Sequence, residues 1–516
     1  MRPQPNILFL MADQLSASAL PPGGSSFVKA PHLDSLARDG VWFENNYCAA
    51  PLCAPSRFSL LTGSLPARIG AWDNSAEFPA TVPTVAHYLR NLGYRTSLSG
   101  KMHFCGPDQL HGFEERLTTD IYPSDFGWTP DWRHPEVRPN WYHNMLSVLQ
   151  AGPCIRSNQL DYDDEVTYAA RRQLYDLARS SDGRPWFLTV SWTHPHDPYA
   201  ALPRLMDLYN ERDIPLPKTR AADVPLDPHS ARLRAVSDMK EGEPSDAQVR
   251  RARHAYWANV TYIDEQVGTL LAVLKESGLD GDTVVVFTTD HGDMLGERGL
   301  WYKMCWFEDA CRVPLIVWGP GLFAPRRVAQ SVSGVDLLPT LVEVGLGGRP
   351  FTPASPIDGR SLLPHLRGRG GHDEAIGEYC GEGSVSPQLM LRRGRWKYLA
   401  APGDPEQLYD LHQDPLERHN LAATEGAAEA LKAFRTQAAG HWSTDLVREQ
   451  VLLSQDQRRL VHESLTRGAH FSWDFQPVRD AGTAYMRNHL VLDDLEFRTR
   501  FPRVEGRFQR LASLLT

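Results

Sequence analysis

Four short apolar runs set the pattern of this 516-residue chain: 7–12 in "NILFLMADQ", 186–192 in "RPWFLTVSWTHPHDP", 283–288 in "DTVVVFTTDHGD" and 314–318 in "RVPLIVWGPG". Each is continuous rather than alternating, so each reads as a strand covered by apolar side chains on both faces. Segments of helical periodicity lie between them, among them "APHLDSLARDG", "EVTYAARRQLYDLARS" and "VRRARHAYWANVTYIDEQVGTLLAVLKESG". Strand alternating with helix predicts an α/β fold, a large mixed and mostly parallel sheet between helices.

The pattern changes near residue 373. "GRWKYLAAPGDPEQLYDLHQDP" reads as short antiparallel strands, and two polar amphipathic helices are expected near 422–442 and 445–466. The organisation expected is an α/β domain over 1–372, a C-terminal subdomain over 373–466 and an extension over 467–516. That extension is rich in aromatics and Arg, which a disordered tail would lack, so it is expected to pack on something, a neighbouring subunit included. The loop-rich stretch from about 197 to 245 reads as an insertion.

Composition closes off several classes of function. A formal charge of −9 argues against nucleic acid, which wants a clustered basic face. No apolar run approaches the ~18 residues of a membrane span, and the run at 7–12 is too short for a signal-peptide core. Seven cysteines with no CxxC spacing do not make a disulfide framework; reduced thiols in the cytoplasm are expected.

In a sheet of this kind ligands bind outside the carboxyl ends of the strands. Three of the runs deliver polar groups there: Asp13 after the first, His194 and His196 after the second, and Asp290, His291 and Asp293 after the third. Carboxylates and an imidazole from separate strands form a divalent-cation site in which oxygen predominates, which suits Ca²⁺ or Mg²⁺ better than Zn²⁺. The alternative is that each Asp only caps the next turn.

Cys53 stands in "CAAPLCAPSRFSLLTG". Pro55 fits the first turn of a helix, and Arg57 falls on the same face as residue 53 one turn on. A group at position 53 therefore sits at a helix N-terminus, a natural anion site, beside a guanidinium able to fork two oxygens of a tetrahedral anion. A buried structural thiol is the other reading of Cys53.

The run "CAPSRFSLLTG" resembles the signature of the type I sulfatases, in which the Cys is oxidised to formylglycine. "PNILFLMADQ", "SGKMH" at 99–103, "THPHDP" at 193–198, "TTDHGDMLGERGLWYK" at 288–303 and "LYDLHQDPLERHNLA" at 408–422 extend the match over most of the chain. A narrower resemblance is to the choline sulfatases, carried by "AEFPA", "KMHFCGPDQLHGFEERLTTDIYPSDFGWTPDW", "WYHNML", "QAGPCIR" and the aromatic extension.

The resemblance implies an alkaline-phosphatase-like fold and hydrolysis of choline sulfate through a formylglycine gem-diol. It places Ca²⁺, with Mg²⁺ or Mn²⁺ as alternatives, on Asp13, Asp290, His291 and residue 53. Where the family commonly has two consecutive Asp, this chain has Asp13-Gln14, one negative charge fewer. By the resemblance Arg57 activates the nucleophile together with the metal, Lys101 and His103 flank it, His103 is the base that frees sulfate, and His196 and Lys303 are the candidates to protonate the leaving alkoxide. Asn74 is similar to a family residue that contacts the substrate near the sulfate. An aromatic and acidic cage is expected around the trimethylammonium group. Trp128, His143 and Glu382 are its first members, with Trp132, Trp141 and Tyr142 behind them. Tyr485, Asn488, Asp493 or Asp494 of the tail would close a partner's pocket. A formylglycine-generating enzyme and a homotetramer are further implications. Two other functions stay open on sequence: a phosphonate monoester or phosphodiester hydrolase with the same nucleophile, and a non-catalytic quaternary-ammonium binder in which Cys53 remains a thiol.

Overall fold

The run at 7–12 becomes the middle of an eight-stranded sheet. A computed structural model describes residues 4–467 apart from 123, 124, 136, 140 and 240–242. The expectations placed on Tyr485, Asn488, Asp493 and Asp494 lie outside the described residues.

In chain order the strands are β1 (Asn6–Ala12), β2 (Val41–Tyr47), β3 (Arg95–Gly100), β4 (Glu115–Arg116), β5 (Gly152–Pro153), β6 (Trp186–Ser191) and β7 (Ala200–Ala201). There follow β8 (Thr283–Thr289), β9 (Leu315–Trp318), β10 (Arg326–Ser333), β11 (Ala375–Tyr379), β12 (Gln388–Arg393), β13 (Trp396–Ala400) and β14 (Gln407–Asp410). The large sheet has the order β10-β2-β9-β8-β1-β6-β3-β4. Within it β9 runs against both neighbours and the other pairings are parallel.

Continuous apolar runs are explained by two cores. On β1, Ile7, Phe9 and Met11 enter one with Phe58 and Leu341, whereas Leu8, Leu10 and Ala12 enter the other with Trp192, Tyr262 and Leu270. Two inner strands carried no such signal. β2 is "VWFENNY" and β3 is "RTSLSG", yet from Thr96 to Gly100 β3 is buried. Its hydroxyls are matched locally: Thr96 donates to the Gly112 carbonyl at 3.2 Å, Ser99 donates to that of Val166 at 2.9 Å, and Ser97 accepts from Gln173 at 3.1 Å. Each would otherwise cost about 1–3 kcal/mol as a buried unpaired group.

From the segment 197–245, Leu205, Ile214, Leu233 and Val236 join the main core. Beyond residue 373, β11 to β14 form an antiparallel sheet. Leu389, Leu391, Tyr398 and Leu408 pack with Leu431 and Phe434 of the helix Ala428–His441. On the next helix, Thr444–Leu465, Val447 and Val451 pack with Trp72, Trp132 and Cys380. Among the described residues no helix is long and apolar enough to cross a membrane.

Candidate active site

Parallel strands bring their C-terminal ends to one edge, and five of them supply the site. β1 leads to Asp13, β8 to Asp290 and His291, β3 to Lys101 and His103, and β6 to His194, His196 and Asp197. β2 feeds through residues 48–52 into the helix Cys53–Thr62. That helix starts from extended Leu52 and ends at Gly63, whose φ of 65° lies in the left-handed region open to glycine. Ser56 ties its first turn to β8 by donating to the Asp290 carbonyl at 2.6 Å.

Ligating atoms of Asp13, Cys53, Asp290 and His291 lie within 4.8 Å of one another, and the residues are fully buried. Among the described residues Asp13 Oδ1 has no hydrogen-bond partner. His291 Nδ1 lies 3.1 Å from the Gly292 carbonyl and Nε2 lies 3.2 Å from Cys53 Sγ, so the latter nitrogen is turned into the cluster. An orphaned carboxylate oxygen, a second carboxylate and an aimed imidazole fit a hard divalent cation. Cys53 Sγ stands where the oxygens of an oxidised residue would be.

Arg57 departs from the expectation. Its Nε donates to Asp290 Oδ2 and its Nη2 to Asp13 Oδ2, both at 2.8 Å, while Nη1 bonds the Lys101 carbonyl and Ser191. The fork expected for a substrate oxyanion grips the two site carboxylates instead, because helix and strand ends hold those oxygens against it. Gln14 is engaged on both sides: its amide nitrogen donates to Asp293 at 2.7 Å and its oxygen accepts from Lys303 at 2.7 Å. The carboxamide thus links Lys303 to Asp293, and its oxygen is taken.

Lys101 Nζ lies 2.6 Å from Asp13, 3.9 Å from Cys53 Sγ and 4.6 Å from the centre of the Tyr122 ring. Burial works against its charge, but Asp13 and the group at 53 push its pKa above the usual lysine range. Burial likewise opposes ionisation of the Cys53 thiol, and Lys101, Lys303 and His291 nevertheless hold it well below its ordinary value. The position favours negative charge. Buried His103 stands beside the Cys53 thiol, and among the described residues its ring nitrogens make no other hydrogen bond. Lys303 Nζ lies 2.7 Å from His196 Nε2, and His196 Nδ1 lies 2.6 Å from the Asp197 carbonyl. These contacts make the imidazole a donor at Nδ1 and an acceptor from the ammonium at Nε2.

Asp197 was not singled out by the sequence reading, although it lies inside "THPHDP". Its carboxylate lies 3.2 Å from His196 Nδ1, 3.7 Å from His143 Nδ1 and 2.9 Å from Ser147 Oγ. Burial opposes its ionisation, and His196 and His143 more than offset that, holding it far below the carboxylate range. Asp197→Asn is expected to lower kcat about 10- to 100-fold with a smaller change in KM, checked by a pH–rate profile whose limbs shift.

These groups border a cavity of about 270 Å³. Cys53, Asn74, Lys101, His103, His196 and Lys303 border it together with Trp128, Trp141, Tyr142, His143 and Glu382. Trp128 and Trp141 stack at 6.3 Å and 17°, and His143 stacks on Tyr302 at 4.5 Å. Trp132 is not part of this wall: it packs under the C-terminal helix with Val447 and Val451. Tyr122 and Gln159 also line the cavity, and no sequence signal pointed to either. Burial, with Asp73 nearby, pushes the Glu382 carboxyl up to about 7.

The fold and this site define a hydrolase class, and the chain belongs to it: the family model "Sulfatase" matches residues 5–347, so this is a member of the sulfatase family. Within that family, "Choline sulfatase enzyme C terminal" matches residues 449–501. The chain is 48% identical to the choline-sulfatase of Rhizobium meliloti (strain 1021), over 97% of this chain and 99% of that one. Among solved structures, the phosphonate monoester hydrolase of Agrobacterium radiobacter shares the fold at a TM-score of 0.69 and 24% identity, over 87% of this chain and 96% of that one. The phosphonate monoester hydrolase of Silicibacter pomeroyi matches at 0.68 and 26%, over 85% and 95%.

Proposed function

We propose that the chain hydrolyses choline O-sulfate to choline and sulfate, with formylglycine at position 53 and a divalent cation, Ca²⁺ by its oxygen-rich donors, held by Asp13, Asp290, His291 and residue 53. One observation carries this reading: a single cavity joins a cluster of cationic groups around residue 53 to a wall of Trp128, Trp141, Tyr142 and Glu382. An anionic sulfuryl group and a trimethylammonium group match those two kinds of surface. The relative at 48% identity supports the same substrate.

The cation supplies Lewis acidity when bound, and hydrated formylglycine supplies the nucleophilic oxygen. The remaining work falls to this chain's own side chains. Lys101 and Lys303 present ammonium groups to the sulfuryl oxygens, and Asn74, fixed by accepting from Ala54 N at 2.9 Å, contacts the substrate beside them. An alkoxide is a poor leaving group, so its oxygen needs a proton. The hydrogen-bonded pair Lys303 and His196 provides it. His103, beside residue 53, takes a hydroxyl proton from it so that sulfate departs. Arg57 anchors Asp13 and Asp290.

Turnover of choline sulfate, an aryl sulfate and an aryl phosphodiester by the purified protein tests the reading. Choline sulfate should give the highest kcat/KM, and preference for the diester would sink it. A pH series adds a second check. With the Glu382 carboxyl at about 7, protonation must be reversed before a cation binds, so KM for choline sulfate should rise as pH falls below that value and level off above it. A slope of up to about tenfold per pH unit is expected, and Glu382→Gln should flatten it at a high KM. The lack of any disulfide among the seven cysteine positions supports a cytoplasmic setting. Exposed Leu446, Leu453 and Leu460 on one helix support self-association, with a homotetramer as the state expected. Maturation of Cys53 is assigned to a formylglycine-generating enzyme.

A further inference from the structure

Arg458 lies outside the cavity and is linked to its wall by hydrogen bonds. It sits on the helix Thr444–Leu465 and is 5% exposed. Its Nη1 and Nη2 donate to Asp73 Oδ1 and Oδ2 at 2.6 and 2.8 Å, a bidentate pair in which the carboxylate side chain is fully buried. Asp73 Oδ1 also accepts from Ser75 N at 2.9 Å. Ser75 Oγ in turn accepts from Trp128 N at 3.0 Å and donates to the Asp125 carbonyl at 2.7 Å. Arg458 Nη1 reaches Thr129 Oγ1 at 3.4 Å, and Gln455, one turn earlier, accepts from Trp132 N at 3.1 Å.

A chain of hydrogen bonds therefore runs from the C-terminal helix through Asp73 and Ser75 to the backbone of 125–129. Asn74 is held a second time, by Ala54 N, so loss of the Arg458 fork falls mainly on the Trp128 segment. Trp128 borders the cavity, whereas Arg458, Asp73 and Ser75 do not. The helix also lies in the part of the chain matched by the C-terminal model at 449–501, outside the sulfatase match at 5–347.

We propose that Arg458 is a positioning residue for substrate selection: through Asp73 and Ser75 it holds Trp128 in place, so the C-terminal helix sets the fit for the cationic end of the ester. This rests on the choline sulfate reading above. The physical warrant is that a bidentate, desolvated guanidinium–carboxylate pair fixes geometry as well as charge, which a lysine cannot reproduce.

The test uses the full-length, metal-loaded, matured enzyme with choline sulfate. Arg458→Met should raise KM about tenfold with kcat within about threefold, and Arg458→Lys should fall between it and the parent. Added to Trp128→Ala, the same change should cost less than about threefold, because both act on one contact. Should Arg458→Met fail to fold, the pair Asp73→Asn with Arg458→Met removes the unpaired buried carboxylate, and that variant should melt near the parent while keeping the raised KM. Effects of Arg458 that add fully to Trp128→Ala, that fall on kcat, or that vanish in the neutral pair would overturn the inference alone. A parent enzyme inactive on choline sulfate would overturn the functional reading and this inference together.

Discussion

Replacing Cys53 with alanine is expected to lower kcat/KM for choline sulfate by about five orders of magnitude while leaving the fold intact. The size follows from the role of the position: it supplies the attacking atom, and Lys101, His103 and His291 have no second nucleophile to activate. The fold should survive because the neighbouring charges are compensated without it, Asp13 by Arg57 and Lys101 and Asp290 by Arg57. Cys53→Ser separates the thiol from the chemistry, since a serine hydroxyl cannot release sulfate by proton loss as a diol can. Mass spectrometry of the peptide 53–63 from the native host is the companion measurement. It should show loss of sulfur and reaction with hydrazides, and a peptide bearing only the thiol would refute the mechanism.

Asp290→Asn should cost about three to four orders of magnitude in kcat/KM and abolish stoichiometric divalent metal in elemental analysis. One carboxylate serves several partners. It is a member of the candidate cation cluster and also accepts from Arg57 Nε at 2.8 Å and from the backbone of Gln14 and His291. Removing its charge leaves the buried guanidinium with Asp13 as its remaining anion, which predicts a loss of about 3 kcal/mol on top of the catalytic defect. Chelation of the unmutated enzyme should behave differently. Activity should vanish, while the melting temperature should fall only by the linkage of metal to the native state, in a way that depends on free metal concentration. A chelated enzyme that keeps full activity, or an Asp290→Asn variant that keeps its metal, would remove Asp290 from the cluster.

Much of the framework was legible in the chain because burial on both faces leaves a local trace. The runs at 7–12, 186–192, 283–288 and 314–318 became β1, β6, β8 and β9, each within a residue or so of its expected bounds. β2 and β3 left no such trace. The polar residues of β3 are buried because other segments, at Gly112, Val166 and Gln173, complete their hydrogen bonds, as Val313 does for Asn46 of β2, and no local window contains those partners. Likewise Asp13, Asp290 and His291 could be read as strand-end groups from position alone, whereas Tyr122 and Gln159 reach the cavity from loops and helices with no pattern of their own.

What the sequence by itself determined is the set of chemical groups at the strand ends and the helix start at Cys53, since periodicity and motif spacing are local properties. Tertiary structure alone decided how those groups divide their work. Arg57 has one guanidinium, and its neighbours turned it toward Asp13 and Asp290. Gln14 became a bridge between Lys303 and Asp293, Trp132 became packing under a helix more than three hundred residues away in the chain, and Asp73 acquired Arg458. Each of these is a choice among hydrogen-bonding partners that become neighbours only when the chain is folded. A buried donor must take whichever acceptor the fold brings within reach.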